Sequence, residues 1–284
     1  MSTLTKTSVK PFVKSEYDVL RQVIVCEPEY MAIRDVINET QKKYKHVGIN
    51  TELAKVQHQN FVHSLEANGV EVIRLTPHPN FPEQVFTRDI GFTNGPVILV
   101  AEMAHELRQG EEQVLKDWLE ENDISYFNLK GDKIEGGDVI IDGQTIYVGL
   151  SERTNDQAIE QLKALFPQHE VVMLPFQEKY LHLDCVFNII SPTEAIYFPE
   201  AFTQKEIDVL AKRFELIEVS ADEQFTMGTN MLSIGNKKIY SLPINNKINK
   251  KLKRLGYDVI EVDIMEIIKS GGSFRCCTLP VHRG

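Results

Sequence analysis

Val139-Ile140-Ile141-Asp142-Gly143-Gln144-Thr145-Ile146-Tyr147-Val148 reads as a β-hairpin, because two apolar, β-branched runs meet at an Asp-Gly pair. That dipeptide tolerates the positive φ angles of a two-residue turn. Downstream, Thr154-Asn155-Asp156-Gln157 can cap a helix whose Ile159, Leu162 and Leu165 share one face. Upstream, Gly91 to Val100 makes another hairpin at Asn94-Gly95, followed by the helical stripe Val114, Leu115, Trp118 and Leu119. The same plan recurs twice more. Val186 to Phe198 precedes the capping-box pattern Thr203-Gln204-Lys205-Glu206 and a helix with Ile207, Leu210 and Phe214. Asn230 to Tyr240 precedes a helix with Ile248, Leu252 and Leu255 that Gly256 ends. Near the N-terminus, the strand Leu20 to Cys26 is followed by a helix from Thr51, with Leu53, Val56, Phe61 and Leu65 on its expected face, and by the strand Val70 to Ile73.

The hairpins start near Gly91, Asp138, Cys185 and Asn230, and the next equivalent strand starts near Cys276, a spacing of roughly 45 residues each time. A helix in every unit argues against an all-β propeller. Repeated antiparallel pairs and the lack of G-x-G-x-x-G argue against a doubly wound sheet. The expected fold is α/β: five mixed units about a pseudo-fivefold axis, in one catalytic domain over residues 1–284, with the last strand closing against the first unit. The charged segment Glu29 to Asn50 is long for a connection, as lids over sites often are.

If each unit's first strand lines the axis, the residues just before those strands collect at one mouth. There stand Thr87-Arg88-Asp89, Glu135-Gly136-Gly137-Asp138, His182-Leu183-Asp184 and Gly271-Gly272-Ser273-Phe274-Arg275-Cys276. Strand alternation would put His182 and Asp184 on one face, leaving Cys185 as a core thiol. It would also separate Cys276, facing the site with Thr278, from Cys277, packing with Leu279. One thiol, one imidazole and several carboxylates describe a pocket where a cation is attacked by a nucleophile. Carboxylates hold planar N–H donors in pairs, so the expected cation is a guanidinium, and its charge would favour a thiolate at Cys276.

Composition agrees. A net charge of -10 opposes nucleic acid, and no basic stripe interleaved with aromatics is visible. No long apolar run or N-terminal h-region supports membrane spanning or export. The four cysteines form no C-x-x-C, so a reduced, cytoplasmic chain without a structural metal is expected.

Phe86-Thr87-Arg88-Asp89, Glu135-Gly136-Gly137-Asp138, Gly149-Leu150-Ser151-Glu152-Arg153-Thr154-Asn155, His182-Leu183-Asp184 and Gly271 to Thr278 together resemble the guanidino-group-modifying enzymes: arginine deiminases, amidinotransferases and dimethylarginine dimethylaminohydrolases. The resemblance spans most of the chain in family order. It implies the five-unit α/β-propeller (pentein) fold, with Cys276 as nucleophile, His182 as general acid and base, and Glu135 completing the triad. Asp89 and Asp184 would bind the guanidinium, and Arg108 and Arg153 the substrate's α-carboxylate. Length favours the dimethylarginine dimethylaminohydrolase branch, whereas Thr-Arg-Asp and the Gly-Gly before the cysteine look deiminase-like. A hydrolase of Nω-methylated arginine is expected, with arginine deiminase or amidinotransferase activity as alternatives and a non-catalytic arginine-binding module as a rival of another class. Neither metal nor organic cofactor is called for. The expected partner is a small guanidino substrate; a homodimer is an open alternative to a monomer.

Overall fold

The computed structural model describes residues 10–129 and 132–284; the first nine residues of the N-terminal stretch lie outside this range. The first unit holds β1 (Leu20–Cys26), the short helix α1 (Glu39–Tyr44), α2 (Thr51–Ala67) and β2 (Glu71–Leu75). The second runs through β3 (Gly91–Asn94), β4 (Val97–Val100), α3 (Glu111–Glu121) and β5 (Tyr126–Asn128). The third comprises β6 (Val139–Asp142), β7 (Thr145–Leu150), α4 (Asp156–Leu165) and β8 (Glu170–Pro175). β9 (Phe187–Ile189), β10 (Glu194–Tyr197), α5 (Gln204–Ala211), β11 (Glu215–Glu218) and α6 (Ala221–Phe225) form the fourth. The fifth has β12 (Leu232–Gly235), β13 (Lys238–Ser241), α7 (Asn246–Arg254), β14 (Asp258–Glu261) and α8 (Met265–Ile268), before β15 (Leu279–Arg283) ends the chain.

Among the described residues these strands make five three-stranded sheets with one plan. The first two strands pair antiparallel, and a helix then carries the chain to a third strand parallel to the second. The parallel pair needs that crossover, whereas the antiparallel pair needs only a tight turn. Gly143 takes φ 60° in the Asp-Gly turn. In the first sheet the antiparallel partner of β1 is β15, so the chain's end completes the unit its beginning opened.

The helix ends form as their residues dictate. Asn155 caps α4 by accepting from Ala158 N, and Thr203 with Glu206 forms a capping box on α5. The stripe on α2 differs from expectation: Leu53 and Val56 are 41% and 53% exposed, while Ala54, His58, Phe61 and Leu65 are buried. The helical period places these four on one side and leaves Leu53 and Val56 off it.

The largest core cluster joins Val23, Val25, Ile140, Phe187 and Leu232 of the strands to Phe61 of α2 and Phe274 of the final turn. Phe61 meets Tyr240 and Phe274 edge-on, at centroid distances of 5.2 and 5.1 Å. This aromatic trio braces the turn that carries Cys276. No helix among the described residues is long and apolar enough to cross a membrane.

Candidate active site

Short turns deliver the functional side chains just before the first strands. Asp89, Asp138, Asp184, Asn230 and Cys276 precede β3, β6, β9, β12 and β15, and the last four stand 46 residues apart. His182 is extended at φ -137° and caps a single 3-10 turn over Leu183–Cys185, instead of lying in a strand. The Leu183 N–H donates to Asp138 Oδ1 at 2.8 Å, which explains the turn: a buried carboxylate draws the amide inward. The approach between neighbouring units is close. A Cβ on Gly137 would stand 2.7 Å from the His182 ring and 2.8 Å from Asp89 Oδ1, so a glycine is required there.

Cys276 also sits in a turn, not at the start of a strand. The Cys277 N–H bonds to Ser273 O at 2.9 Å, and the Thr278 N–H to Arg275 O at 3.1 Å. Strand alternation therefore does not decide which cysteine faces the site; Asn230 does. Its Oδ1 accepts from the Cys276 N–H at 3.1 Å, while its Nδ2 donates to Cys276 Sγ at 3.0 Å and to Asp184 O at 3.2 Å. Asp184 Oδ1 and Oδ2 lie 3.7 and 3.6 Å from the sulfur. A hydrogen bond with the Cys185 thiol, burial and the Asp184 charge all push the Cys276 thiol well above its ordinary range, so it is protonated when the pocket holds no added cation.

His182 Nε2 lies 2.8 Å from Glu135 Oε2, and its Nδ1 faces Asp89 Oδ1 at 3.6 Å. Burial alone would favour a neutral ring, but the Asp89 charge and the Glu135 bond outweigh it and raise His182 to about 10. Burial likewise opposes the Glu135 charge, yet the His182 bond and the charges of His182, Arg108 and Arg153 hold it down at about 2. Both shifts favour an imidazolium beside a carboxylate. Asp89, Glu135 and His182 could each offer an atom to a metal ion within 4.8 Å of one another. Asp89 is, however, bonded to Arg108 and Glu135 to His182.

The two arginines expected on a carboxylate lie in the cluster. Arg108 is fully engaged: Nη1 donates to Asp89 Oδ2 at 2.6 Å, and Nη2 to Glu111 Oε2 at 2.7 Å. Its donors are thus taken up by two carboxylates of the protein itself. Arg153 bonds through Nη2 to Ile37 O at 3.2 Å, and its Nη1 has no hydrogen-bond partner. Asp89 Oδ1 and His182 Nδ1 are likewise buried without partners, although such groups are nearly always satisfied in native interiors.

The segment Glu29 to Asn50 lies over this cluster. Asn38 Nδ2 donates to Ser270 O at 2.9 Å, and Gln41 Nε2 donates to both Glu83 Oε1 and Ser270 Oγ at 2.9 Å. Burial lifts Glu83 to about 7 despite Arg108 and Ser270. Gly271, at φ +100°, packs directly on Asn38. Flanking cavities remain: one of about 540 Å³ lined by Asn38, Tyr180, Cys185 and Gly271, and one of about 580 Å³ lined by Ile37, Lys42, Arg153 and Lys179. Beneath the segment Cys276, His182, Glu135 and Asp184 are buried. Behind the thiol, Arg275 pairs with Glu16 and donates to Val139 O, fixing the cysteine turn to the third unit.

Sequence reading therefore assembled Cys276, His182, Glu135, Asp89, Asp184, Arg108 and Arg153, which the structure brings together. It missed Asn230, Glu111, Gln41 and Glu83. Asn230 had a signal, because it occupies the position in its unit that Asp184 and Cys276 occupy in theirs.

A family model described as N,N dimethylarginine dimethylhydrolase, eukaryotic, matches residues 27–283. The chain is 50% identical to the uncharacterized protein YkgA of Bacillus subtilis, over 99% of both chains. It is 25% identical to N(G),N(G)-dimethylarginine dimethylaminohydrolase of Mycobacterium tuberculosis, covering 92% of this chain and 86% of that one. The N-terminal domain of ArgZ, a cyanobacterial arginine dihydrolase solved covalently bound to a reaction intermediate, superposes with a TM-score of 0.84 at 25% identity, over 92% of this chain and 98% of that domain. Its mixed α/β fold is thus that of the pentein superfamily, and the chain belongs to the N,N-dimethylarginine dimethylhydrolase family of guanidino-group-modifying enzymes.

Proposed function

We propose that the protein hydrolyses the guanidinium group of an arginine derivative, an Nω-methylated arginine foremost, to citrulline and methylamine through an S-alkylthiouronium on Cys276. The observation that carries this reading is a set of buried atoms that make no hydrogen bond and are met only by ion pairs at 3.6 Å: Asp89 Oδ1 with His182 Nδ1, and Arg153 Nη1 with Glu135. They complement a substrate with N–H donors at one end and a carboxylate at the other. In this reading the five sheets surround a pseudo-fivefold axis with the substrate at its mouth. Four free thiols fit a cytoplasmic setting.

The incoming guanidinium lies between Asp89 and Asp184 and, by adding positive charge beside Cys276, drives its thiol proton to the water displaced as the substrate enters. The thiolate, held by Asn230, adds to the guanidinium carbon, and His182 passes its proton to the departing amine. The imidazole, now a base oriented by Glu135, activates water to release the ureido product and free the thiolate. Arg153 takes the α-carboxylate, while Arg108 and Glu111 hold Asp89 in place.

Unsubstituted arginine is a second reading, favoured by one feature. Asp89 and Asp184 both need N–H donors from the guanidinium, and a dimethylated nitrogen has none to give. The test is kcat/KM for arginine, monomethylarginine and asymmetric dimethylarginine, following citrulline without an added amine acceptor. An added methyl in an apolar pocket is worth about 1–3 kcal/mol, so a preference of about tenfold or more for a methylated substrate is expected. Arginine winning by that margin makes the enzyme a deiminase or dihydrolase, product appearing only with an amine acceptor makes it an amidinotransferase, and silence on all three refutes the proposal.

A further inference from the structure

From the sequence Cys185 reads as a core thiol, yet it stands beside the nucleophile. Cys185 Sγ lies 3.7 Å from Asp184 Oδ1, and Cys276 Sγ lies 3.7 Å from the same oxygen. The two sulfurs thus share one carboxylate oxygen, with no residue needed to bridge them other than Asp184. Cys26, by contrast, belongs to a separate core cluster beneath β1. Cys185 also lines the cavity of about 540 Å³ beside α1, which gives a small solute a route to it. The catalytic steps above make no use of this second thiol.

We propose that Cys185 is a resolving thiol for Cys276: a hydroperoxide oxidises the nucleophile, and Cys185 closes the product into a Cys185–Cys276 disulfide that stops hydrolysis until a dithiol reopens it. In the first step the Cys276 sulfur attacks a peroxide oxygen, its proton passes by way of the Asp184 carboxylate to the leaving oxygen, and the O–O bond breaks. Sulfur loses two electrons to become a sulfenic acid, and the peroxide is reduced to water or an alcohol. In the second step Cys185 sulfur attacks the sulfenic sulfur: the S–S bond forms, the S–O bond breaks, and hydroxide leaves as water with the Cys185 proton. The Asp184 carboxylate, 3.7 Å from both sulfurs, is placed to relay that proton. A dithiol returns the two electrons by thiol–disulfide exchange. Capping the sulfur in this way also keeps it from the irreversible sulfinic and sulfonic states.

The effect on turnover rests on Cys276 being the nucleophile; the cross-link does not, so the two can fail separately. The full-length protein is treated with hydrogen peroxide, assayed before and after dithiothreitol, and digested without reduction for tandem mass spectrometry. The proposal expects loss of citrulline formation that dithiothreitol restores, and a peptide containing Cys185 joined to one containing Cys276, with fragmentation placing the bridge on Cys276 and not Cys277. The Cys185→Ala variant, scored against its own activity before peroxide, should lose turnover irreversibly and carry Cys276 as sulfinic acid. A bridge with undiminished turnover upholds the thiol pair and sinks the reading of Cys276 as nucleophile. Irreversible inactivation of the unsubstituted chain, or a bridge through Cys26 or Cys277, overturns the proposal even where Cys185→Ala fails to fold.

Discussion

Replacing Asn230 by alanine separates the electrostatic support of the nucleophile from the rest of the site. Three contacts go: the acceptor for the Cys276 N–H at 3.1 Å, the donor to Cys276 Sγ at 3.0 Å and the donor to Asp184 O at 3.2 Å. The bond to sulfur involves a group that becomes anionic before attack. Hydrogen bonds to charged groups are worth about 1.5–3 kcal/mol, so kcat/KM should fall by roughly 10- to 100-fold. The other two bonds are neutral and present throughout. Their loss leaves a buried amide unpaired and should cost about 2 kcal/mol of stability, a Tm lower by roughly 4–8 °C. The pH dependence of Cys276 alkylation by iodoacetamide reads the thiolate directly, and its midpoint should rise by about one to two units in the variant. A folded Asn230→Ala protein with wild-type alkylation and kcat/KM within about threefold of wild type would refute the assignment of Asn230 as the thiolate's donor.

Other substitutions divide chemistry from binding and from closure. His182→Ala should lower kcat at least about 100-fold with a smaller change in KM, whereas Asp89→Asn should act chiefly on KM, because the imidazole moves protons and the carboxylate meets a cation already present in the ground state. Equal effects on kcat from both variants would contradict that division. Glu83 is raised from 4.5 to about 7 by burial, with Glu111 and Asp89 adding to it and Arg108 opposing it, so its stabilising contribution is full below 4.5 and is lost as pH rises from there through about 7. Thermal melts of Glu83→Gln should therefore decline less than wild type across that interval, and parallel pH curves would remove Glu83 from the clasp on Gln41. Glu16 behaves oppositely: burial raises it, but Arg275 and Arg88 depress it from 4.5 to about 2, so its contribution is present above 4.5 and lost as pH falls through about 2. Glu16→Gln removes one of the two carboxylates on Arg275, Asp184 Oδ2 staying 3.3 Å from its Nε, so it should destabilise by less than the ~3–5 kcal/mol of a fully broken buried pair, and a loss of that full size in urea unfolding would show that Asp184 does not compensate.

Much of this architecture is legible because local chemistry and fold agree. Asp142-Gly143 and Asn94-Gly95 mark turns that no other dipeptide marks so well, and Thr203 with Glu206 announces the start of α5. The candidate site was legible through position, since its side chains stand just before repeated strands. What escaped depends on distances the sequence does not display. Gln41 meets Ser270 across 229 residues and Glu83 across 42, and nothing local distinguishes these polar residues from solvated ones. Arg108 shows a different limit: its charge was apparent, but its capture by Asp89 and Glu111 is set by tertiary packing. His182 and Cys276 were placed in strands, yet both lie in turns, because buried acceptors such as Asp138 and Ser273 O bind the backbone that a ladder would otherwise use.

The central claim is that Cys276 forms a bond to the guanidinium carbon. Mass spectrometry of the protein acid-quenched during turnover of monomethylarginine tests it most directly. The account predicts a transient S-alkylthiouronium adduct, of the substrate's mass less methylamine, whose fragments place it on Cys276, absent from Cys276→Ser and unaffected by Cys277→Ser. An adduct on Cys277, or turnover retained by Cys276→Ser, would contradict it.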